Sequence, residues 1–192
     1  MMLDLFDLPA LPGLSSQPEL VSEAEEIALI AAIDATSPSP FRFQGWEGKR
    51  LTSSFGWSYD FDRMRLRQAE PLPDWLLSVR GRAAAFAGLP ADTLVQALLI
   101  RYDPGAGIGW HRDRPAFEHV VGISLGAPAT MRFRRRQGDR FQRVNVPLLP
   151  RGAYHLSGEA RHGWEHSIAE MDRTRWSITF RSLVEGQGTA HT

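Results

Sequence analysis

A histidine and an aspartate stand two residues apart in the segment GIGWHRDRP, as His111 and Asp113. In an extended chain, residues two apart project from one face, so both side chains reach the same space. A neutral imidazole beside a carboxylate supplies two of the three ligands of a 2-His-1-carboxylate facial triad, a set that suits Fe(II) and leaves coordination positions open. Taken alone, the pair also fits a surface histidine followed by an aspartate turn. His166, in WEHSI on an expected strand, offers the third ligand from the facing sheet. His162, four residues earlier, is its rival, and the spacing to the arginines that follow favours His166. His119, His155 and His191 read as structural or solvated side chains. We assign no catalytic side chain beyond the metal ligands.

Nine residues after His166 begins RWSITFR. Arg175, Ser177, Thr179 and Arg181 share one face of this expected strand; Trp176, Ile178 and Phe180 share the other and should pack against helices. Two arginines pointing into a β-sandwich are costly unless an anion meets them. A metal-bound dicarboxylate answers that need, because guanidinium and carboxylate form charge-assisted, often bidentate hydrogen bonds. The two Cβ atoms lie about 20 Å apart on an ideal strand, so both can serve one small ligand only through long arms and a curved strand. The other possibility is that one of them reaches solvent.

Two further groups could touch a substrate. Trp57 and Tyr59, two apart in an early hairpin, would present both rings on one face, either to stack on a flipped base or to pack on the sheet. The run MRFRRR alternates Met131 and Phe133 with Arg132, Arg134 and Arg136, and Arg140 and Arg143 follow. Such a stripe is either a plain solvated face or a track for a phosphate backbone.

These groups need a scaffold. Residues 1–20 are rich in Pro and Leu and form an expected N-terminal arm. Ser22 with Glu25 gives a capping box that opens a helix of about a dozen residues through Ile27, Ile30 and Ile33, stopped by SPSPFRF. The aromatic, Gly-punctuated FRFQGWEGKRLTSSFGWSYDFD predicts one or two hairpins. A second helix is expected over 73–88, with Asp74 near its start and Gly88 near its end. Residues 21–93 therefore hold helices and substrate-side hairpins of the same domain. From Leu94 the chain turns to short β-like runs: LVQALLIRY, HVVGISL, ATMRFRR, RFQRVNV, GAYHLS and RWSITFR. Six to eight strands over 94–183 predict a jelly-roll core, with 184–192 as a flexible tail. The expected class is α+β: a double-stranded β-helix with N-terminal helices and hairpins packed on one sheet.

Composition narrows the setting. The 192 residues suit one domain, and no cysteine is present, which excludes disulfides and thiolate ligands. Any metal must use His and carboxylate. No apolar run reaches about 18 residues, and the start MMLDLFDLPALPGL lacks a basic n-region, so neither a span nor a secretory signal is expected. Net charge is +0, with Lys49 the single lysine. We expect a cytoplasmic, monomeric protein.

The run RYDPGAGIGWHRD, then His166, then RTRWSITFR resembles the AlkB family of nucleic-acid dealkylating dioxygenases, which carry N-x-Y, H-x-D, a distal His and R-x5-R. The segment GEARHGWEHSI is similar to the family's stretch before the distal His. The resemblance covers residues 94–183, with a fainter echo in 50–77. It implies that His111, Asp113 and His166 bind Fe(II), that Tyr102 and Arg175 hold the distal carboxylate of 2-oxoglutarate, and that Arg181 lies near its metal-chelating end. With O2, the implied reaction converts 2-oxoglutarate to succinate and hydroxylates an N-alkyl carbon, which leaves as an aldehyde. Single-stranded DNA or RNA is the implied partner, with Trp57, Tyr59, Arg132 and Arg134 as candidate substrate contacts. The chain departs from the pattern at three positions. Ile100 stands where the family often has Asn, Ser177 replaces a common Asn between the arginines and also belongs to the expected co-substrate site, and Pro115 follows the H-x-D where some members keep an acid. The alternatives are a hydroxylase of protein, lipid or small molecules, or a nucleic-acid-binding module with a vestigial metal site.

Overall fold

A computed structural model describes residues 11–43, 45–61 and 63–186. Within the stretch expected as an arm, β1 (Leu14–Gln17) pairs in a sheet; residues 1–10 lie outside the described residues, as does the expected tail from 187 onward, with His191. Next comes α1 (Glu23–Ala35). Its capping box is complete: the Glu25 N–H donates to the Ser22 hydroxyl at 3.2 Å, and the Ser22 N–H donates to the Glu25 carboxylate at 2.8 Å. Leu29 and Ile33, four apart, are buried, whereas Ile27 faces solvent. The strands β2 (Ser39–Phe43) and β3 (Trp46–Phe55) form one hairpin, and β4 (Trp57–Asp60) and β5 (Arg65–Gln68) a second. Then α2 (Asp74–Ala87) ends at Gly88, whose φ of 69° closes the helix in the left-handed region.

Eight strands follow: β6 (Gln96–Tyr102), β7 (Ile108–His111), β8 (Phe117–Gly126), β9 (Ala129–Gln137), β10 (Arg140–Leu148), β11 (Ala153–Leu156), then, after the short helix α3 (Gly158–His162), β12 (Glu165–Ile168) and β13 (Arg175–Leu183). With β1, β2 and β3 they form a major sheet in the order β1-β11-β8-β13-β6-β3-β2 and a minor sheet in the order β10-β9-β12-β7. This is the expected jelly roll with N-terminal helices. Strand alternation sorts the core into two layers. Val121, Ile123, Leu125, Ile178 and Phe180 meet Leu29, Ile33, Leu76 and Val79 on the helix side. Ile100, Tyr102, Val120, Met131, Phe133 and Tyr154 lie between the sheets. Phe180, fully buried, is worth about 3–5 kcal/mol against alanine at such a position. No described helix is long and apolar enough to cross a membrane.

Candidate metal and co-substrate site

The strand β7 ends at His111, and β12 lies antiparallel beside it with His166 directly opposite. Opposed residues on antiparallel neighbours project from the same face, so both imidazoles enter the space between the sheets, with ring centres 4.3 Å apart. The third ligand therefore comes from the adjacent strand of the same sheet, a correction to the expectation that it arrives from the facing one. Asp113, just past the end of β7, completes the group: one ligand atom from each of His111, Asp113 and His166 lies within 4.8 Å of the others.

Electrostatics prepare these groups for a cation. Burial alone would raise the Asp113 carboxyl, but Arg181, His166 and His111 outweigh it and hold the group well below the usual carboxylate range. Burial lowers His166 to about 3, with His111 adding and Asp113 opposing. It lowers His111 as well, and the Gly109 carbonyl lies 2.9 Å from the His111 Nδ1. Two neutral imidazoles and one ionised carboxylate are the protonation states that metal ligation requires. The donor set fits Fe(II). His162 sits elsewhere, on α3, half-exposed and 3.1 Å from the Glu118 carboxylate.

The two arginines of β13 have different surroundings. Arg181 Nε and Nη2 reach Asp113 Oδ1 at 2.8 and 2.7 Å, and Nη1 donates to Gln96 at 3.0 Å. Its charge is thus committed to the ligand carboxylate. Arg175 is 1% exposed, donates through Nε to Ser124 at 3.0 Å, and stacks over the Tyr102 ring at 5.1 Å. Its Nη1 is buried with no hydrogen-bond partner. An unsatisfied buried guanidinium nitrogen costs stability unless a ligand meets it, so this orphan fits a carboxylate. Ser177 is buried on the same face, paired across the sheet with Ile100 on one side and Ser124 on the other. The two departures at Ile100 and Ser177 are therefore neighbours.

A cavity of about 770 Å3 opens over these groups, with room for a small dicarboxylate and one further planar ring. Several of its walls were not singled out in the sequence. Arg50 lies over Phe41 at 4.0 Å, its Nε buried without a partner, and burial lowers its pKa. Phe61 meets both Phe41 and Tyr59 edge-on, and Arg114 lies over Tyr59 and Phe61. Tyr154, pushed up to about 12 by burial, stands on the floor. A side chain on Gly122 would run into its ring. Tyr59 thus lines the cavity, whereas Trp57 is half-buried and off its wall. Arg132 and Arg134 are on the outer face of the minor sheet, against Trp110. Arg161, 3% exposed on α3, donates to the carbonyls of Arg114 and Phe117 at 2.6 and 2.5 Å and fixes the turn that follows Asp113, where Pro115 lies. Its pattern is invisible locally, since its partners lie far off in the chain.

Fold and site together define a jelly-roll protein of the non-haem oxygenase class. A profile of the 2OG-Fe(II) oxygenase superfamily matches residues 10–181, and the chain belongs to that superfamily, whose members use Fe(II), 2-oxoglutarate and O2. Its relatives are AlkB-like. An alkylated DNA repair protein ALKBH8 homolog of Arabidopsis thaliana is 28% identical over 90% of this chain and 56% of its own length. The alpha-ketoglutarate-dependent dioxygenase AlkB of Salmonella typhimurium is 28% identical over 96% of this chain and 99% of its own. The chain spans about half the length of the Arabidopsis relative. The solved structure of OsALKBH1 superposes with a TM-score of 0.70 over 89% of this chain and 97% of that one, at 15% identity, which shows a shared fold.

Proposed function

We propose that this chain oxidatively dealkylates N-alkylated bases of single-stranded DNA or RNA, with His111, Asp113 and His166 binding Fe(II). The observation that carries the reading is the triad sharing one cavity with a buried arginine that has an unmet nitrogen. Arg175 and Tyr102 hold the far carboxylate of 2-oxoglutarate, Ser177 lies alongside, and Arg181 keeps Asp113 ionised and aimed. Held there, Fe(II) with 2-oxoglutarate and O2 would supply the oxidation, which overall would turn 2-oxoglutarate and O2 into succinate and CO2 and hydroxylate a C–H bond of the N-alkyl group. The resulting hemiaminal collapses to the free base and an aldehyde, its hydroxyl proton passing to the base nitrogen. The chain's own contribution is position and exclusion of water. Tyr59, Phe61 and Phe41 supply ring surface on which an unpaired or flipped base can stack. The name of the Arabidopsis relative, an alkylated DNA repair protein homolog, supports the nucleic-acid substrate.

The test is mass spectrometry of methylated single-stranded DNA and RNA oligonucleotides after incubation with the protein, Fe(II) and 2-oxoglutarate. The expected result is loss of one methylene mass per alkylated base. No loss from either, together with 2-oxoglutarate turnover stimulated by a protein or lipid extract, would assign the chain to the hydroxylase alternative.

A further inference from the structure

The outer face of the minor sheet carries an arrangement that the reaction itself does not use. Trp110, next to the metal ligand His111, points to this face and also borders the cavity mouth. Arg134 and Arg132 lie over its indole at 4.4 and 5.4 Å. Three strands across from Trp110, on β10, Phe141 is 37% exposed, and Arg134, Arg143 and Arg136 stand over its ring at 4.8, 5.7 and 5.9 Å. Register explains the alignment: Arg143 opposes Arg134, and Phe141 opposes Arg136, so β9 and β10 present them on one side. Arg134 is held by Glu165 at 2.7 Å and Arg132 by the Ser167 hydroxyl at 3.1 Å. Among the described residues, Arg136 and Arg143 have no carboxylate within ion-pair distance. The net charge of +0 for the whole chain makes this local excess a property of the face, not of the protein.

From this arrangement we infer that the outer face of the minor sheet is a track for the flanking nucleotides of a single strand, running from Trp110 at the cavity mouth to Phe141 at the far edge. The inference rests on the nucleic-acid reading above and extends it to nucleotides that are not modified. Rings interleaved with guanidinium groups are what a strand with alternating bases and phosphates requires: bases stack on the rings, and phosphates meet the arginines. An acidic protein would use the charges but has no need for exposed aromatic rings between them. Four strands at about 4.8 Å spacing give the face a width on the order of 14 Å, enough for about two or three nucleotides. Glu165, at the centre, repels phosphate, so the strand passes over the Arg132 and Arg143 sides of it.

The experiment is fluorescence anisotropy with unmethylated, dye-labelled single strands of about three and about ten nucleotides, titrated over a range of salt. Wild-type protein should bind the long strand more tightly. Phe141→Ala should weaken the long strand roughly tenfold and bring it toward the short one, and Phe141→Trp should restore it. Arg143→Gln should lower the slope of log affinity against log salt by about 0.7, one phosphate contact on a single strand. A strand of the same length built from abasic units should keep its salt dependence and lose its sensitivity to Phe141. If Phe141→Ala and Arg143→Gln bind the long strand as wild type does, or if Phe141→Ala weakens the abasic strand equally, the track is wrong. Because these strands carry no alkyl group, a failure of demethylation would leave this measurement intact. Length-dependent binding without demethylation would then support the track and refute the reaction.

Discussion

Replacing His111, Asp113 or His166 by alanine removes one of three ligands that lie within 4.8 Å of each other, and each variant should lose turnover while remaining folded. His162→Ala should stay active, because His162 faces Glu118 on α3. Iron content and succinate formation measured side by side decide this, and a fully active His166→Ala would move the third ligand elsewhere. Arg175→Ala should spare iron binding and raise the apparent KM for 2-oxoglutarate at least thirtyfold, the effect of about 2 kcal/mol or more for a buried charge left alone. An unchanged KM would remove Arg175 from the co-substrate site. Arg181 differs in kind: it is spent on Asp113, so Arg181→Ala should weaken iron retention as well. The period-two spacing of Arg175 with Ser177 and Arg181 was legible in the sequence because strand alternation is a local rule, whereas Asp113 joins His111 from just past the end of β7. The division of labour between the two arginines was not, since it depends on which distant carboxylate reaches each one.

The elements show the same boundary between local and distant information. Both helices, the capping box and the strand series from Gln96 onward follow from nearby residues, and the structure has them. The pairing of β12 with β7 does not, and it is what puts His166 beside His111 in one sheet. Likewise β1 pairs with β11 from within a segment that composition alone describes as an arm. Two predictions belong here. Gly122→Val should push the Tyr154 ring from its place opposite and lower both thermal stability and turnover, seen as a falling Tm with a falling kcat. The cap of α1 should be pH-sensitive. A hydrogen bond from Arg82, then that from the Ser22 backbone, hold Glu25 at about 2, below its ordinary 4.5. A group depressed in the folded state stabilises fully above its unfolded value and loses that contribution as pH falls through the folded one. The Tm gap between wild type and Glu25→Gln should therefore be present at pH 7, shrink below pH 4.5 and close near pH 2. A gap constant from pH 7 to 2 would show that charge has no part in the cap. Added salt should narrow it, because the pair is largely exposed.

Across the whole molecule, the two-sheet fold places metal ligands, an anion-seeking arginine and an aromatic-walled cavity in one space, while the helices cover the opposite face of the major sheet. Family membership accounts for the ligands, and this chain's own departures at Ile100, Ser177 and Pro115 concern what surrounds them. The aromatic walls from Phe41 and Phe61 were hidden in the sequence because their partners come together only when two hairpins fold over the core. In the proposed function, oxidation of 2-oxoglutarate is coupled to removal of an alkyl group from a base. The direct measurement is to quantify succinate, released aldehyde and restored base in one reaction containing a methylated single strand, with wild type and His166→Ala compared. Wild type should give the three in equal amounts and His166→Ala none of them. Succinate formed by wild type with neither aldehyde nor restored base would contradict the account.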